Sequence, residues 1–249
     1  VTGRPRQERT ADERYRAYYQ APQAAAPVAR YEQWLQRAEN RLSGRCLLEV
    51  GAGSGGLVRT ALSRGWRVDA TELSESGAAL LRQTSARVFQ GELADARYEP
   101  ESFDFVACLE VLEHVPNPAE QLRELYRVLR AGGLLLLTTP NFDGVSRRVL
   151  GLKWRIVDPE HLGYFNPRTL RRALEAAGFA RVEIGSRTLD VLAWQRSRGR
   201  PAPRFDAAAT ARLRDGVDGS RPLRLAKEAI NGVLRLTGLG DSLLAWAVR

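Results

Sequence analysis

Methionine is absent from this chain, lysine occurs only at Lys153 and Lys227, and histidine only at His114 and His161. The missing methionine and scarce lysine go with abundant alanine and arginine, a compositional bias that needs no acidic partner. The formal net charge of +9 is therefore carried almost wholly by arginine, spread along the chain without an uninterrupted basic block. A basic surface follows; a nucleic-acid footprint, which concentrates charge on one face, does not. Cys46 and Cys108 both fall in apolar segments that read as strands. They give neither a disulfide framework nor metal-ligand spacing, and buried thiols in a reducing cytoplasm are expected. No stretch approaches the roughly 20 apolar residues of a membrane-spanning helix. The polar, Arg-rich start carries no apolar core of the kind that directs export, so a cytoplasmic location is expected. With two imidazoles available, histidine chemistry near neutral pH is confined to His114 and His161.

What is present is enough for one α/β domain with a full core: 249 residues, 44% of them hydrophobic. Residues 1–27 are charged, then Ala/Pro-rich, and read as a mobile arm bearing Tyr15, Tyr18 and Tyr19. Residues 28–187 read as the core. The periodicity predicts a helix from Val28 to Leu42, then an alternation of strands and helices. Strands are expected at Arg45–Val50, Trp66–Leu73, Arg87–Gln90, Phe103–Leu109 and Leu134–Thr139. Helices are expected at Leu57–Arg64, Glu75–Thr84 and Pro116–Leu129, the last ended by Gly132-Gly133. Such alternation means a parallel sheet with right-handed crossovers. A helix at Thr169–Ala177 and a strand at Phe179–Ser186 follow. Residues 188–240 read as an enlarged connection, and 241–249 contain a final strand, Ser242–Val248. Within the connection, 196–221 is rich in Arg, Pro, Ala and Asp. Residues 221–236 set Arg221, Arg224, Lys227 and Arg235 around an apolar stripe. That segment suits a lid helix and, as the alternative, a peripheral contact with an anionic membrane surface.

The first strand runs into Gly51-Ala52-Gly53-Ser54-Gly55-Gly56, which satisfies G-x-G-x-x-G through Gly51, Gly53 and Gly56. Glycines there allow a tight turn and let a ligand approach the backbone. Glu72 ends the next strand, placed to accept both ribose hydroxyls of an adenosine. This much fits a nicotinamide dinucleotide or S-adenosylmethionine. Glu49, two residues before the first glycine, favours the latter: its carboxylate suits the ammonium of a methionine moiety and would repel a pyrophosphate. The plainer alternative for Glu49 is an acid that braces the loop.

On these residues the chain resembles the class I S-adenosylmethionine-dependent methyltransferases, specifically the small-molecule branch that includes ubiquinone-type O-methyltransferases. The likeness is carried by Leu48-Glu49-Val50-Gly51-Ala52-Gly53-Ser54-Gly55, Glu72, Phe103-Asp104-Phe105, Leu109-Glu110-Val111-Leu112-Glu113-His114, Leu129-Arg130-Ala131-Gly132-Gly133-Leu134 and Glu160-His161-Leu162-Gly163-Tyr164-Phe165. The resemblance implies a Rossmann-like, doubly wound sheet of seven strands with the last antiparallel and helices on both faces. It implies that Glu49 and Gly51, Ala52, Gly53, Ser54 and Gly55 hold the methionine portion of the cofactor. Glu72 would take the ribose and Leu73 would lie against the adenine. Glu92 and Leu93 stand where the family usually carries Asp after the third strand. Leu109, Glu110 and His114 would line the floor near the sulfonium.

The implied reaction moves a methyl group from S-adenosylmethionine to a small-molecule acceptor, an oxygen being the expected target, and leaves S-adenosylhomocysteine. A hydroxyl acceptor benefits from a general base, for which His114 and His161 are the candidates. The alternative for each is a structural role, bonding backbone carbonyls. Glu113 is a lesser candidate, to orient His114 or bind a metal, but no metal site is assigned. Trp154, Tyr164, Phe165 and Trp194 are candidate walls of an acceptor pocket. The competing readings are a nicotinamide-dependent oxidoreductase, a nucleic-acid methyltransferase and a non-catalytic cofactor-binding accessory protein.

Overall fold

The computed structural model describes residues 28–154, 156–157, 159–188, 230, 232–234 and 237–249. Seven strands form one sheet in the order β3-β2-β1-β4-β5-β7-β6. β1 (Cys46–Val50), β2 (Arg67–Glu72), β3 (Arg87–Gln90), β4 (Phe103–Leu109) and β5 (Leu129–Pro140) are parallel. β7 (Ser242–Val248) lies antiparallel between β5 and β6 (Ala180–Arg187). This is the Rossmann-like, doubly wound sheet implied by the resemblance. Its order reverses between β1 and β4, which opens a crevice at their carboxyl ends.

Helices cover both faces: α1 (Val28–Glu39), α2 (Gly56–Ser63), α3 (Glu75–Leu81), α4 (Pro118–Val128), α5 (Val145–Leu150) and α6 (Pro167–Ala176). Successive residues of the central strands enter opposite layers. Leu48, Val106, Leu135 and Leu137 pack with Leu122 and Leu125 of α4 and Leu170 and Leu174 of α6. Leu47, Phe105, Leu134 and Leu136 pack with Leu35 of α1 and Leu57 of α2. Both faces are thus covered, which is why Leu134–Leu137 shows no polar alternation. Each buried leucine contributes roughly 1.5–3 kcal/mol. Phe105 stacks on Trp246, ring centroids 5.7 Å apart and 4° from parallel, so β7 is locked into the second layer. Polar caps fix the helix starts below the crevice: Ser74 Oγ accepts from Gly77 N–H, and Asn117 accepts from Glu120 N–H.

Two local expectations are corrected. α4 stops at Val128, and Gly132-Gly133 does not end it: Leu129 is already extended and pairs with Phe103, and the next pairing is Leu134 with Phe105. The residues between form a bulge, latched where Arg130 and Cys46 N–H both donate to the Asp104 carboxylate, at 2.7 and 2.9 Å. A side chain on Gly133 would put its Cβ 2.8 Å from the Arg130 carbonyl oxygen, so the bulge requires glycine there. The six-residue α5 was not foreseen, because it is too short for a periodic signal and is held by distant partners. Ser146 N–H donates to Asp241 at 2.8 Å, and Val145 N–H to the Leu239 carbonyl at 2.9 Å.

The tyrosines of residues 1–27, the 196–221 segment, Trp194, Arg221, Arg224, Lys227 and Arg235 lie outside the described residues. Of the 221–236 stripe, Leu234 is buried while Ile230 and Val233 are exposed. Among the described residues, no helix is long and apolar enough to cross a membrane.

Candidate functional site

The glycine loop is folded by its own backbone. Ala52 N–H bonds the Thr71 carbonyl of β2 and Gly55 N–H bonds the Ala52 carbonyl. Gly51 has φ +66°, and a Cβ there would lie 2.5 Å from Val111 Cγ2 on the loop after β4. Gly55 has φ +74°, and its Cβ would meet Leu81 at 2.7 Å. The loop is thus a cradle that side chains would fill and strain. Ala52 is buried, while Gly53 and Ser54 are half-buried along the turn.

Glu72 reaches this loop from the end of β2. One carboxylate oxygen accepts from Gly53 N–H at 2.9 Å; the other accepts from Ser74 N–H and Oγ, both at 3.0 Å. A carboxylate offers about four lone-pair sites, so hydroxyl donors from a ribose still have room beside these three bonds. Leu73, next in the chain, is 55% exposed, a large apolar side chain open to the crevice beside Glu72. Glu92 is exposed after β3. The Leu93 side chain is 1% exposed and belongs to the core, so what it has to offer a ligand is its backbone.

Glu49 is buried, and its Oε2 accepts from Val58 N–H of α2 at 3.1 Å. In this structure it braces the loop against the following helix, the plainer of its two expected roles. Burial pushes its carboxyl up to about 8, against the pull of the Val58 amide. A cation placed beside it would reverse that shift.

The floor is the turn after β4. Leu109 is half-buried, and Glu110 takes a left-handed backbone at φ +56°, uncommon for a side-chain-bearing residue and typical of functional turns. Its amide donates to the Thr138 carbonyl at 3.0 Å, and Ser242 Oγ lies 3.5 Å from its carboxylate. Glu110 opens to solvent at the crevice, yet the protein packed around it holds its carboxyl above the ordinary range, with Thr138 and then the Arg30 charge opposing. Arg30 of α1 was not singled out from the sequence. Only the fold, which lays α1 against this end of the sheet, supplies a cation here.

Both histidines come to the same place. Their ring centroids are 4.6 Å apart and close to edge-on. His114 Nδ1 lies 3.0 Å from the Glu160 carbonyl oxygen, and His161 Nδ1 lies 2.7 Å from that of Ile156. A carbonyl only accepts, so each Nδ1 carries a proton, and the tautomer so fixed leaves Nε2 as the nitrogen able to take another. Beneath them Glu113 is buried, accepting from Thr139 Oγ1 at 3.0 Å. Burial, and then the charge of Glu110, holds its carboxyl well above the usual range. No metal was expected, yet one ligand atom each from Glu113, His114 and His161 lie within 4.8 Å of one another, a set able to take a divalent cation.

Of the candidate pocket walls, Tyr164 fits: it is 38% exposed, 4.9 Å from the Phe142 ring and 6.4 Å from His161. Trp154 and Phe165 do not, since they are 1% and 8% exposed and serve as core. Phe142, just past β5, is the wall that sequence reasoning missed. Its signal was the Thr139-Pro140-Asn141-Phe142 turn at a strand's carboxyl end.

Against this geometry stand the comparisons with known proteins. A family model described as a methyltransferase domain matches residues 16–184. Ubiquinone biosynthesis O-methyltransferase of Pseudomonas fluorescens (strain Pf0-1) is 32% identical over 142 residues, covering 54% of this chain and 59% of that protein. The same-named protein of Pseudomonas entomophila is 37% identical over 107 residues, covering 40% of this chain and 46% of that protein. The chain thus spans about half the length of the curated relatives it matches. Among solved structures, a SAM-dependent methyltransferase from Archaeoglobus fulgidus superposes with a TM-score of 0.62 at 16% identity, covering 94% of this chain and 99% of that one. Phosphoethanolamine N-methyltransferase 2 of Haemonchus contortus, solved with S-adenosyl-L-methionine, gives 0.60 at 20% identity over 89% of this chain and 52% of that one. The structural likenesses speak for the fold alone. The family match covers well over half of the chain, which therefore belongs to the class I S-adenosylmethionine-dependent methyltransferases.

Proposed function

We propose that this methyltransferase acts on a hydroxyl oxygen of a small molecule, with His114 or His161 as general base. The carrying observation is the pair of imidazoles, 4.6 Å apart, each tied by Nδ1 to a backbone carbonyl at the carboxyl edge of the sheet. The names of the Pseudomonas relatives, O-methyltransferases, point to the same acceptor atom.

S-adenosylmethionine, when bound, supplies an already activated methyl group. The cradle residues fit it: Gly51 to Gly55 would hold the methionine chain, Glu72 would take the ribose hydroxyls and Leu73 would lie against the adenine. Glu49 would take the ammonium, its carboxyl giving up its proton as the cation arrives, and Arg30 would meet the carboxylate. The chain's own work is alignment, exclusion of water and removal of a proton. Nε2 of the acting histidine takes the acceptor's proton as the oxygen becomes nucleophilic. Glu113 lies close to the imidazole pair and holds its proton in the resting site; a positive ring formed beside it would draw that proton off, and the carboxylate so formed would offset the charge.

The test incubates the protein with methyl-labelled S-adenosylmethionine and a small-molecule extract of the source organism. A labelled methyl ether is expected. Label appearing only on nitrogen, or only in nucleic acid, defeats the reading.

A further inference from the structure

We propose that Arg147 recognises an anionic group, a carboxylate or phosphate, on the acceptor. The inference rests on the methyltransferase reading above and deepens it by naming a chemical feature of the substrate.

The first observation is what Arg147 lacks. Arg37, Arg45, Arg64, Arg127, Arg130 and Arg249 each meet a carboxylate. Among the described residues, Arg147 has neither an ion pair nor a side-chain hydrogen bond, and its Nε is buried with no partner. A guanidinium cannot shed its charge, and its five donors lie in one plane. Its guanidinium lies over the Phe142 ring, whose centroid is 4.6 Å from the guanidinium carbon. A ring satisfies the flat face of the cation and leaves the edge, where the N–H donors are, unengaged. An edge of that kind matches a carboxylate or phosphate in bidentate fashion.

The second observation is where Arg147 stands. Phe142 is the near end of a line of rings: Phe142 to Tyr164 at 4.9 Å, Tyr164 to His161 at 6.4 Å, His161 to His114 at 4.6 Å. The guanidinium is therefore linked, through successive ring contacts, to the candidate base. The strand order puts it on the β5 side of the crevice, whereas the glycine cradle lies between β1 and β2 on the other side of β4. It is thus on the acceptor's side, away from the cofactor cradle. The third observation is rigidity: the turn carrying Arg147 is pinned by Ser146 to Asp241 and by Asn141 Nδ2 to the Gly238 and Gly240 carbonyls, at 3.0 and 2.6 Å. A cation so fixed is prepositioned and loses little freedom when it engages. Arg30 also lies over an aromatic ring, at 5.2 Å from Trp34, but its charge already acts on Glu110. Arg148, next in the chain, already donates to the Asp143 carbonyl.

The experiment uses the full chain saturated with S-adenosylhomocysteine and three matched probes: para-hydroxyphenylacetate, para-hydroxybenzylphosphonate and the neutral para-hydroxyphenylacetamide. Binding is followed by calorimetry and saturation-transfer NMR. At least one anionic probe should bind ten-fold or more tightly than the amide; which one does so separates carboxylate from phosphate recognition. In Arg147→Gln that preference should vanish while the affinity for S-adenosylhomocysteine holds within two-fold, showing an intact fold. Arg147→Lys should restore part of it. Equal binding of all three probes, or no binding of any, overturns the inference alone, as does a preference that survives Arg147→Gln. Failure of the folded wild-type protein to bind S-adenosylhomocysteine overturns the cofactor reading and this inference with it.

Discussion

The crevice has two flanks, and they are built by different means. The flank over β1 and β2 is made from neighbours in sequence: the glycine loop, Glu72 and Ser74 bond one another within a few dozen residues. The flank beyond β5 is made from strangers. His114 bonds Glu160, Asn141 bonds Gly238 and Gly240, and Ser146 bonds Asp241, across 46 to 99 positions. A cofactor common to a family is served by local backbone geometry, whereas an acceptor peculiar to one enzyme is served by long-range assembly of variable loops.

If that division of labour holds, the flanks are separable by mutation. The largest effect belongs to the base. Replacing the acting histidine, in His114→Gln or His161→Gln, should lower the methyl-transfer rate about 100- to 10,000-fold. For His161→Gln, which lies outside the cofactor floor, calorimetry should find S-adenosylhomocysteine affinity unchanged; a parallel loss of cofactor binding breaks the comparison. Next is Gly51→Val, where a positive φ and the Val111 contact combine. Strain and overpacking of this order should weaken S-adenosylhomocysteine binding about 100-fold. Binding at wild-type strength would show that the cradle is misassigned. Third, Asp241→Ala removes the acceptor for Ser146 and should destabilise the α5 turn by about 1.5–3 kcal/mol. Hydrogen exchange should then rise across residues 141–150 and stay unchanged in the glycine loop; loosening of both would join the flanks into one unit.

The smallest effect concerns Glu49. With its folded carboxyl near 8 against an ordinary 4.5, the folded form holds a proton that the unfolded chain sheds. Its contribution is fully present below pH 4.5 and is lost as pH rises through about 8, so Glu49→Gln should flatten that decline in stability. A cationic ligand beside it would drive the proton off. Calorimetry near pH 7 in buffers of different ionisation heat should then register release of a fraction of one proton on S-adenosylmethionine binding, and none in Glu49→Gln. An unchanged release in the variant would remove Glu49 from the ligand's surroundings.

The same division explains what was legible in advance. β3, β4 and β7 fall at their expected bounds, because apolar runs and their turn residues are local signals. The glycine loop and Glu72 were legible for the same reason: a tight turn and a strand-end acid have fixed spacing. The side-chain partners were not. That Glu72 would accept Gly53 N–H, or that Glu49 would brace Val58, depends on rotamers chosen by packing. Trp154 reads the same as core or as pocket wall until its neighbours are known, and it is core. His114 and His161 could be nominated singly, but only the fold shows that they meet.

The placement of β7 between β5 and β6 has a consequence for synthesis on the ribosome. A nascent chain that has emerged as far as α6 already holds every segment of the glycine cradle and can close it. Residues 238–248, which clamp the turn bearing Arg147 and complete the sheet, arrive much later. The enzyme should therefore be able to grip its methyl donor before it has anywhere to put an acceptor.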